Sequence, residues 1–202
     1  MILTQSQPGL SWTESILHAD YWLLLKINRS WQHPVLDDLA LFAREALVHV
    51  PVYLFLAIFM LLNFGRKGLW WILAALTLAG LSDFLSAHVI KEIFDRPRPC
   101  RDPVMAHHIR MLAQRCGMNG SFISSHASNH FAAATFIHGT LRPMGRIWRI
   151  FFLWAAFIAY SQVYVGVHYP SDVICGAIFG CILGYLALAV YKPRFSSENQ
   201  HT

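Results

Sequence analysis

Apolar residues run through this chain in blocks of crossing length, separated by short basic or proline-rich breaks. The first block, residues 46–64, would extend about 28 Å as a helix, close to the hydrocarbon thickness of a bilayer. Pro51 falls near its start, where a missing N–H costs least. Gly65, Arg66, Lys67 and Gly68 predict a tight basic turn, and residues 69–90 a return crossing. The polar connection that follows, residues 92–125, is too long for a bare turn, and such loops serve as lids or binding elements. Residues 126–141 predict a third crossing, whose Ser128, Asn129, His130 and His138 demand shielding by neighbouring helices. Residues 150–167 and 173–191 predict a fourth and a fifth. Upstream, residues 22–27 are apolar but short, with Trp12, Trp22, Trp31, Lys26 and Arg29 around them, which suits a helix lying at the membrane surface. His33-Pro34 interrupts it, and residues 35–44 continue as a second amphipathic piece. The pattern predicts an all-α, polytopic membrane helical bundle with about five crossings and N-terminal amphipathic interfacial helices. It divides into an interfacial region (1–45), a transmembrane catalytic domain (46–194) with an outer loop (92–125), and a polar C-terminal tail (195–202).

Composition supports that reading: 13% of residues are Asp, Glu, Lys or Arg, against about 25% in soluble domains. The 16 Lys and Arg exceed the 11 Asp and Glu, but the surplus clusters at segment ends and forms no stripe with interleaved aromatics. That excludes a nucleic-acid surface in favour of topology signals and anion contacts. Arg66/Lys67, Arg142/Arg146/Arg149 and Lys192/Arg194 fall on one side of a five-crossing arrangement, which the positive-inside rule assigns to the cytoplasm together with the C-terminus. The N-terminal region, the 92–125 loop and the 167–171 turn then face outward. Residues 1–15 lack a basic stretch followed by an apolar core, so no cleaved signal peptide is expected. Cys175 and Cys181 read as packing residues; Cys100 and Cys116 bracket the outer loop and could pair in an oxidising compartment.

Ionisable groups beside membrane segments are costly and mark function. Three clusters of them gather on the outer side. In His168-Tyr169-Pro170-Ser171-Asp172, Pro170 favours a helix start and Asp172 suits its first turn. A carboxylate four residues from His168 can fix its tautomer and leave the other ring nitrogen free to attack; a capping aspartate beside a boundary histidine is the plainer alternative. Ser124-Ser125-His126 stands where a polar loop enters a helix, whose unpaired N–H groups favour phosphate. There Ser124 could donate its hydroxyl and His126 could protonate a leaving oxygen, or Ser124 could be an ordinary N-cap. Pro97 and Pro99 break any helix between Lys91 and Arg98, so Arg98 is expected in a stiff turn pointing back over Lys91. Arginine offers bidentate contacts to phosphate and lysine a point charge. A nucleophile, its orienting acid, a proton donor and cationic clamps are the parts phosphoryl transfer needs.

These residues resemble the motifs of the type 2 phosphatidic acid phosphatase (PAP2) superfamily of membrane lipid phosphatases. Its first motif, Lys-x6-Arg-Pro, matches Lys91 and Arg98-Pro99. Its second, Pro-Ser-Gly-His, reads Ile123-Ser124-Ser125-His126 here, and its third, Ser-Arg-x5-His-x3-Asp, reads Ser161-Gln162 followed by His168 and Asp172. The resemblance implies that His168 is the nucleophile and forms a phosphohistidine, that Asp172 orients it, and that His126 is general acid and then base. It assigns Lys91, Arg98, Ser124, Ser161 and position 162 to phosphate binding, with no metal and no cofactor; His107-His108 reads as a pair of surface histidines. Gln162 departs from the family: where arginine contacts phosphate, glutamine lacks the charge, a loss of about 2–4 kcal/mol if nothing replaces it. Arg96, Arg101, Arg110 or Arg115 could replace it from the outer loop. The expected partner is a membrane lipid phosphate or diphosphate, undecaprenyl diphosphate first, because outward-facing members of the family often recycle that carrier in bacteria. Phosphatidylglycerol phosphate, lipid A 1-phosphate and a silent phospholipid-binding or transport role are the alternatives. The expected location is the bacterial inner membrane, with the active site facing the periplasm or cell exterior.

Overall fold

The computed structural model describes residues 11–191. Lys192, Arg194 and the tail 195–202, used above for orientation and domain limits, lie outside the described residues. Helix α1 (Trp12–Leu25) opens with a capping box in which Ser11 and Glu14 satisfy each other's backbone N–H groups. A π-helical turn, Lys26–Ser30, prolongs it. His33 caps α2 (Pro34–Phe42) by accepting the Val35 N–H at 3.2 Å, with Pro34 pre-set for the first helical position.

The central apolar stretch comprises α3 (Ala46–Phe84), a π-helical segment (Leu85–Ile90) and α4 (Lys91–Phe94). Gly65 breaks it with φ 49° and ψ −122°, a conformation open to glycine, and the two halves return against each other at Met60 and Gly68. Asp95 ends α4 in the left-handed region, φ 34°. No helix or strand forms from 95 to 124, and Cys100 and Cys116 join as a disulfide across that loop. Ser124 caps α5 (Ser125–Leu141); two 3-10 turns, Arg142–Met144 and Arg146–Arg149, lead into α6 (Ile150–Tyr164), and α7 (Pro170–Val190) completes the bundle.

Three helical stretches among the described residues, not five, are long and apolar enough to cross a membrane: Ala46–Phe94, Arg146–Tyr164 and Pro170–Val190. The difference has two causes. The two crossings expected over 46–90 form one helical run of 49 residues interrupted at Gly65. The expected third crossing, α5, is 17 residues and carries serine, asparagine and histidine. It is wrapped by α3, α6 and α7 instead of facing lipid, as its polar groups require. Large apolar side chains such as Leu62, Trp70, Leu153, Ile178 and Leu186 point outward, the surface a bilayer covers.

Contact between α5 and α7 sets the frame of the site. Gly176, Gly180 and Gly184 recur every four residues on one face of α7. A Cβ on Gly176 would stand 2.6 Å from the Ser124 carbonyl oxygen, one on Gly184 2.6 Å from Thr135 Cβ, and one on Gly180 would strike the Ser128 carbonyl. Small residues let membrane helices approach backbone to backbone where apolar burial alone gives no preference. Opposite them α5 presents Ala127, Ser128 and Ala132, and the Ser128 hydroxyl reaches Ser82 on α3 at 2.8 Å. Gly180→Ala is therefore expected to lower stability by about 1–3 kcal/mol, whereas Gly80→Ala, which meets nothing within 4 Å, leaves it unchanged or higher. Thermal unfolding of the two purified variants in detergent measures the difference.

Candidate active site

His168 occupies the turn between α6 and α7, where its backbone N–H donates to the Gln162 carbonyl at 3.2 Å. Its buried ring lies between two charges. Nε2 stands 3.2 Å from an Arg98 terminal nitrogen, and Nδ1 faces Asp172 Oδ2 at 3.5 Å, beyond a well-made hydrogen bond. Guanidinium can only donate, so this contact requires the Nε2 lone pair and puts the ring proton on Nδ1, toward the carboxylate. Burial pushes His168 down to about 4, the nearby Asp172 carboxylate opposing the shift and the Arg98 charge adding to it. The imidazole is neutral at pH 7, with its lone pair on the Arg98 side.

Asp172, in the first turn of α7, is fully buried. Its Oδ2 accepts the Tyr169 N–H at 2.9 Å and its Oδ1 an Arg96 terminal nitrogen at 2.8 Å. The other Arg96 terminal nitrogen reaches Asp20 Oδ2 on α1 at 2.8 Å, and Asp20 also accepts the backbone and hydroxyl of Ser171. Arg96 lies 3.9 Å over the Tyr169 ring, a cation–π contact. The Tyr169 hydroxyl donates to Asp102 at 2.7 Å; burial and then that carboxylate push the phenol's pKa up.

Arg98 hangs in the loop with Nε donating to the Asn119 carbonyl at 3.0 Å and a terminal nitrogen to that of Val167 at 3.3 Å. Lys91 is buried at the end of the long helical run, within electrostatic reach of Arg98, Asp83 and Asp172. The Ser124 N–H donates to the Asp172 carbonyl at 3.0 Å, which lays the start of α5 against the start of α7. His126, in that first turn, lies within electrostatic reach of His168, Arg44 and Lys91. Six of the eight residues singled out by sequence thus converge: His168, His126, Asp172, Lys91, Arg98 and Ser124. Ser161 is adjacent, but its hydroxyl donates to the Phe157 carbonyl of its own helix at 2.8 Å. Gln162 is buried, and its Oε1 accepts from Arg44 Nε at 3.2 Å.

None of the four loop arginines that could replace the missing charge at 162 contacts Gln162. Arg96 is held by Asp172 and Asp20, and Arg110 makes a bidentate pair with Asp37 at 2.6 and 2.8 Å. Those bonds hold the Asp37 carboxyl below its usual range. Arg101 donates to the Met118 carbonyl, and Arg115 is exposed. Sequence reasoning missed Arg44 and the joint role of Arg96 and Asp20. Both depend on partners 118 and 76 positions away, and no motif spacing links them. Among the described residues no group of three His, Cys, Asp or Glu side chains is placed to hold a metal ion.

The family model of the PAP2 superfamily matches residues 68–196. The lipid A 4′-phosphatase of Porphyromonas gingivalis is 30% identical over 179 residues, covering 88% of this chain and 75% of that protein. The undecaprenyl-diphosphatase BcrC of Bacillus subtilis is 28% identical over 158 residues, 78% of this chain and 76% of that protein. Among solved structures, LpxE of Aquifex aeolicus superposes with a TM-score of 0.58 at 30% identity, over 83% of this chain and 94% of that one. A family match spanning more than half the chain, borne by a relative and by a solved fold of the same arrangement, makes this chain a member of the PAP2 superfamily and a multi-pass membrane lipid phosphatase of that type.

Proposed function

We propose that the chain hydrolyses a phosphate monoester on a lipid of the lipid A type, through a phosphohistidine on His168 and without a metal ion. The observation that carries the substrate is the similarity over 88% of the chain to a lipid A 4′-phosphatase. Undecaprenyl diphosphate, the first expectation from sequence, stands behind it: its named relative matches less of the chain at lower identity.

The headgroup phosphate enters between Lys91, Arg98 and the capped start of α5, displacing the Arg98 guanidinium from Nε2 onto a phosphate oxygen. His168 Nε2 then attacks phosphorus in line with the lipid oxygen. As the P–O bond breaks, His126, protonated once the phosphate dianion is bound beside it, gives that oxygen its proton and becomes neutral, while Asp172 balances the charge developing on the His168 ring. In the second step His126 takes a proton from water, the water oxygen attacks phosphorus, and the P–N bond breaks to release inorganic phosphate. Lys91 and Arg98 supply the charge stabilisation that a metal would otherwise provide.

In the membrane, the Gly65 break divides the 49-residue run into two crossings and α5 forms an interior one; with α6 and α7 they make five. The disulfide-bearing loop supports an outward site, since such bonds persist in oxidising compartments. Arg66, Lys67, Arg142, Arg146 and Arg149 then mark the cytoplasmic face, and residues 11–45 lie along the outer interface.

Purified protein given lipid A 1- and 4′-phosphates, phosphatidylglycerol phosphate and undecaprenyl diphosphate should release phosphate fastest from a lipid A monoester, with no loss on adding chelator. A faster rate on the polyprenyl diphosphate would reverse the assignment, and inhibition by chelator would end the metal-free mechanism. His168→Gln should lose activity by about a thousandfold or more, and Asp172→Asn by about a hundredfold with folding intact. Because burial lowers the His168 pKa to about 4, the ring stays neutral above that pH. A ring-¹⁵N titration should show it uncharged down to about pH 5; a midpoint near the ordinary value of about 6.5 contradicts the buried, poised nucleophile.

A further inference from the structure

We infer that Arg44, from the turn between α2 and α3, is the third phosphate-binding cation of this site, and that Gln162 holds it there. The inference rests on the phosphatase reading above and adds a residue that lies outside the family-matched span of 68–196.

Four observations carry it. Arg44 Nε donates to Gln162 Oε1 at 3.2 Å, so a guanidinium stands against the side chain that replaces the motif's arginine. The Gln162 amide nitrogen donates to the Ile158 carbonyl at 3.4 Å, which fixes its oxygen as the end facing Arg44. With Nε engaged, the two terminal nitrogens of Arg44 meet no acceptor among the described residues. That leaves the edge of the fork that binds phosphate oxygens bidentately. Finally, the half-buried Arg44 charge acts on His126 and Arg98, so it faces the same space as the two.

The position is built, not incidental. Ala43, Arg44 and Glu45 form a tight turn, with the Arg44 N–H on the Leu41 carbonyl at 3.2 Å and the Glu45 N–H on that of Phe42 at 3.1 Å. α2 is pinned to α6 and the outer loop through Asp37, which accepts from Arg110 and from the Tyr164 hydroxyl at 2.5 Å. Tyr164 lies two residues from Gln162, so one stretch of α6 anchors both the helix that leads into Arg44 and the Arg44 guanidinium. The charge that α6 lacks is supplied by the N-terminal segment.

The test uses the full chain in detergent, reading phosphate release from a lipid A phosphate and inhibition by orthovanadate. R44Q should lower kcat/KM by about a hundredfold and weaken vanadate inhibition by at least tenfold, with its unfolding midpoint unchanged. The exchanged pair R44Q/Q162R, which returns a guanidinium to α6, should recover at least tenfold over R44Q in both readouts. R44Q within threefold of wild type in both overturns the inference. So does a folded, impaired R44Q that the exchange fails to improve, since the position of the charge would then not matter. If R44Q does not fold, R44K decides: unchanged vanadate inhibition overturns the inference, and a tenfold weakening upholds the need for the held fork. A wild type that spares every lipid A phosphate sinks the substrate reading alone, because vanadate binding read by thermal shift still judges Arg44.

Discussion

A carboxylate with no exposed surface, Asp172, is the constraint on which the rest of the head of this bundle depends. Burying such a charge is costly unless it is paired and hydrogen-bonded, and each compensating contact recruits a different part of the chain. Arg96 comes from the 95–124 loop, the Tyr169 N–H from the α7 cap, and His168 from the turn before it. The Asp172 backbone carbonyl receives Ser124, and so the start of α5. Arg96 is itself shared with Asp20, which extends the same compensation to α1. One buried acid thus orients the candidate nucleophile and places four chain segments around it.

Lipid gives helices little reason to prefer one partner over another, because the solvent is as apolar as the surfaces it would be exchanged for. Two kinds of contact supply the missing specificity. Along the membrane-embedded part, Gly176, Gly180 and Gly184 bring the α7 backbone against α5 and fix their register. At the end of the bundle that carries the 95–124 loop, where no regular structure forms, charges take over. Arg96 with Asp20, and Arg110 with Asp37, Asn28 and Tyr164, fasten the N-terminal helices and the loop to α6 and α7. The N-terminal region is therefore part of the wall of the site.

The sequence made the centre of the site legible because its chemistry is local. His168 and Asp172 are four positions apart around a predicted helix start, and the prolines after Lys91 rule out a continued helix, so spacing made a meeting of these groups a reasonable expectation. The first pair stands 3.5 Å apart, and Arg98 lies within electrostatic reach of Lys91. The Cys100–Cys116 pairing was likewise suggested by two cysteines bracketing one loop. Hydropathy located the helices well but counted them differently, since it sees the Gly65 turn as a boundary between crossings; the sheathing of α5 was legible from its serine, asparagine and histidines, though not which helices would supply it. The α7 glycines were visible at four-residue intervals and went unread, because spacing of small residues acquires meaning only once a partner backbone is near. Arg44 and Arg96 were the least legible: an arginine's function depends on which acceptor the fold brings within reach, and those acceptors are 76 and 118 positions distant.

The charge balance around the two histidines explains why glutamine suits position 162. Asp172 is paired directly with Arg96, and Asp83 tempers Lys91, whereas Arg98 and Arg44 make no direct ion pair among the described residues and feel only the more distant charges of Asp172 and Glu45. A half-buried cation without a direct ion pair is a standing cost that a phosphate dianion would remove, which is the reason the proposed site would favour such a ligand. A second guanidinium on α6 would stand within contact distance of the first, where two positive charges at an effective dielectric near 20 repel by about 4 kcal/mol. A neutral acceptor avoids that repulsion, keeps the hydrogen bond and directs the fork outward. Glutamine at 162 and arginine at 44 are therefore best understood as a pair, each making the other tolerable in a site that must hold positive charge before any substrate arrives.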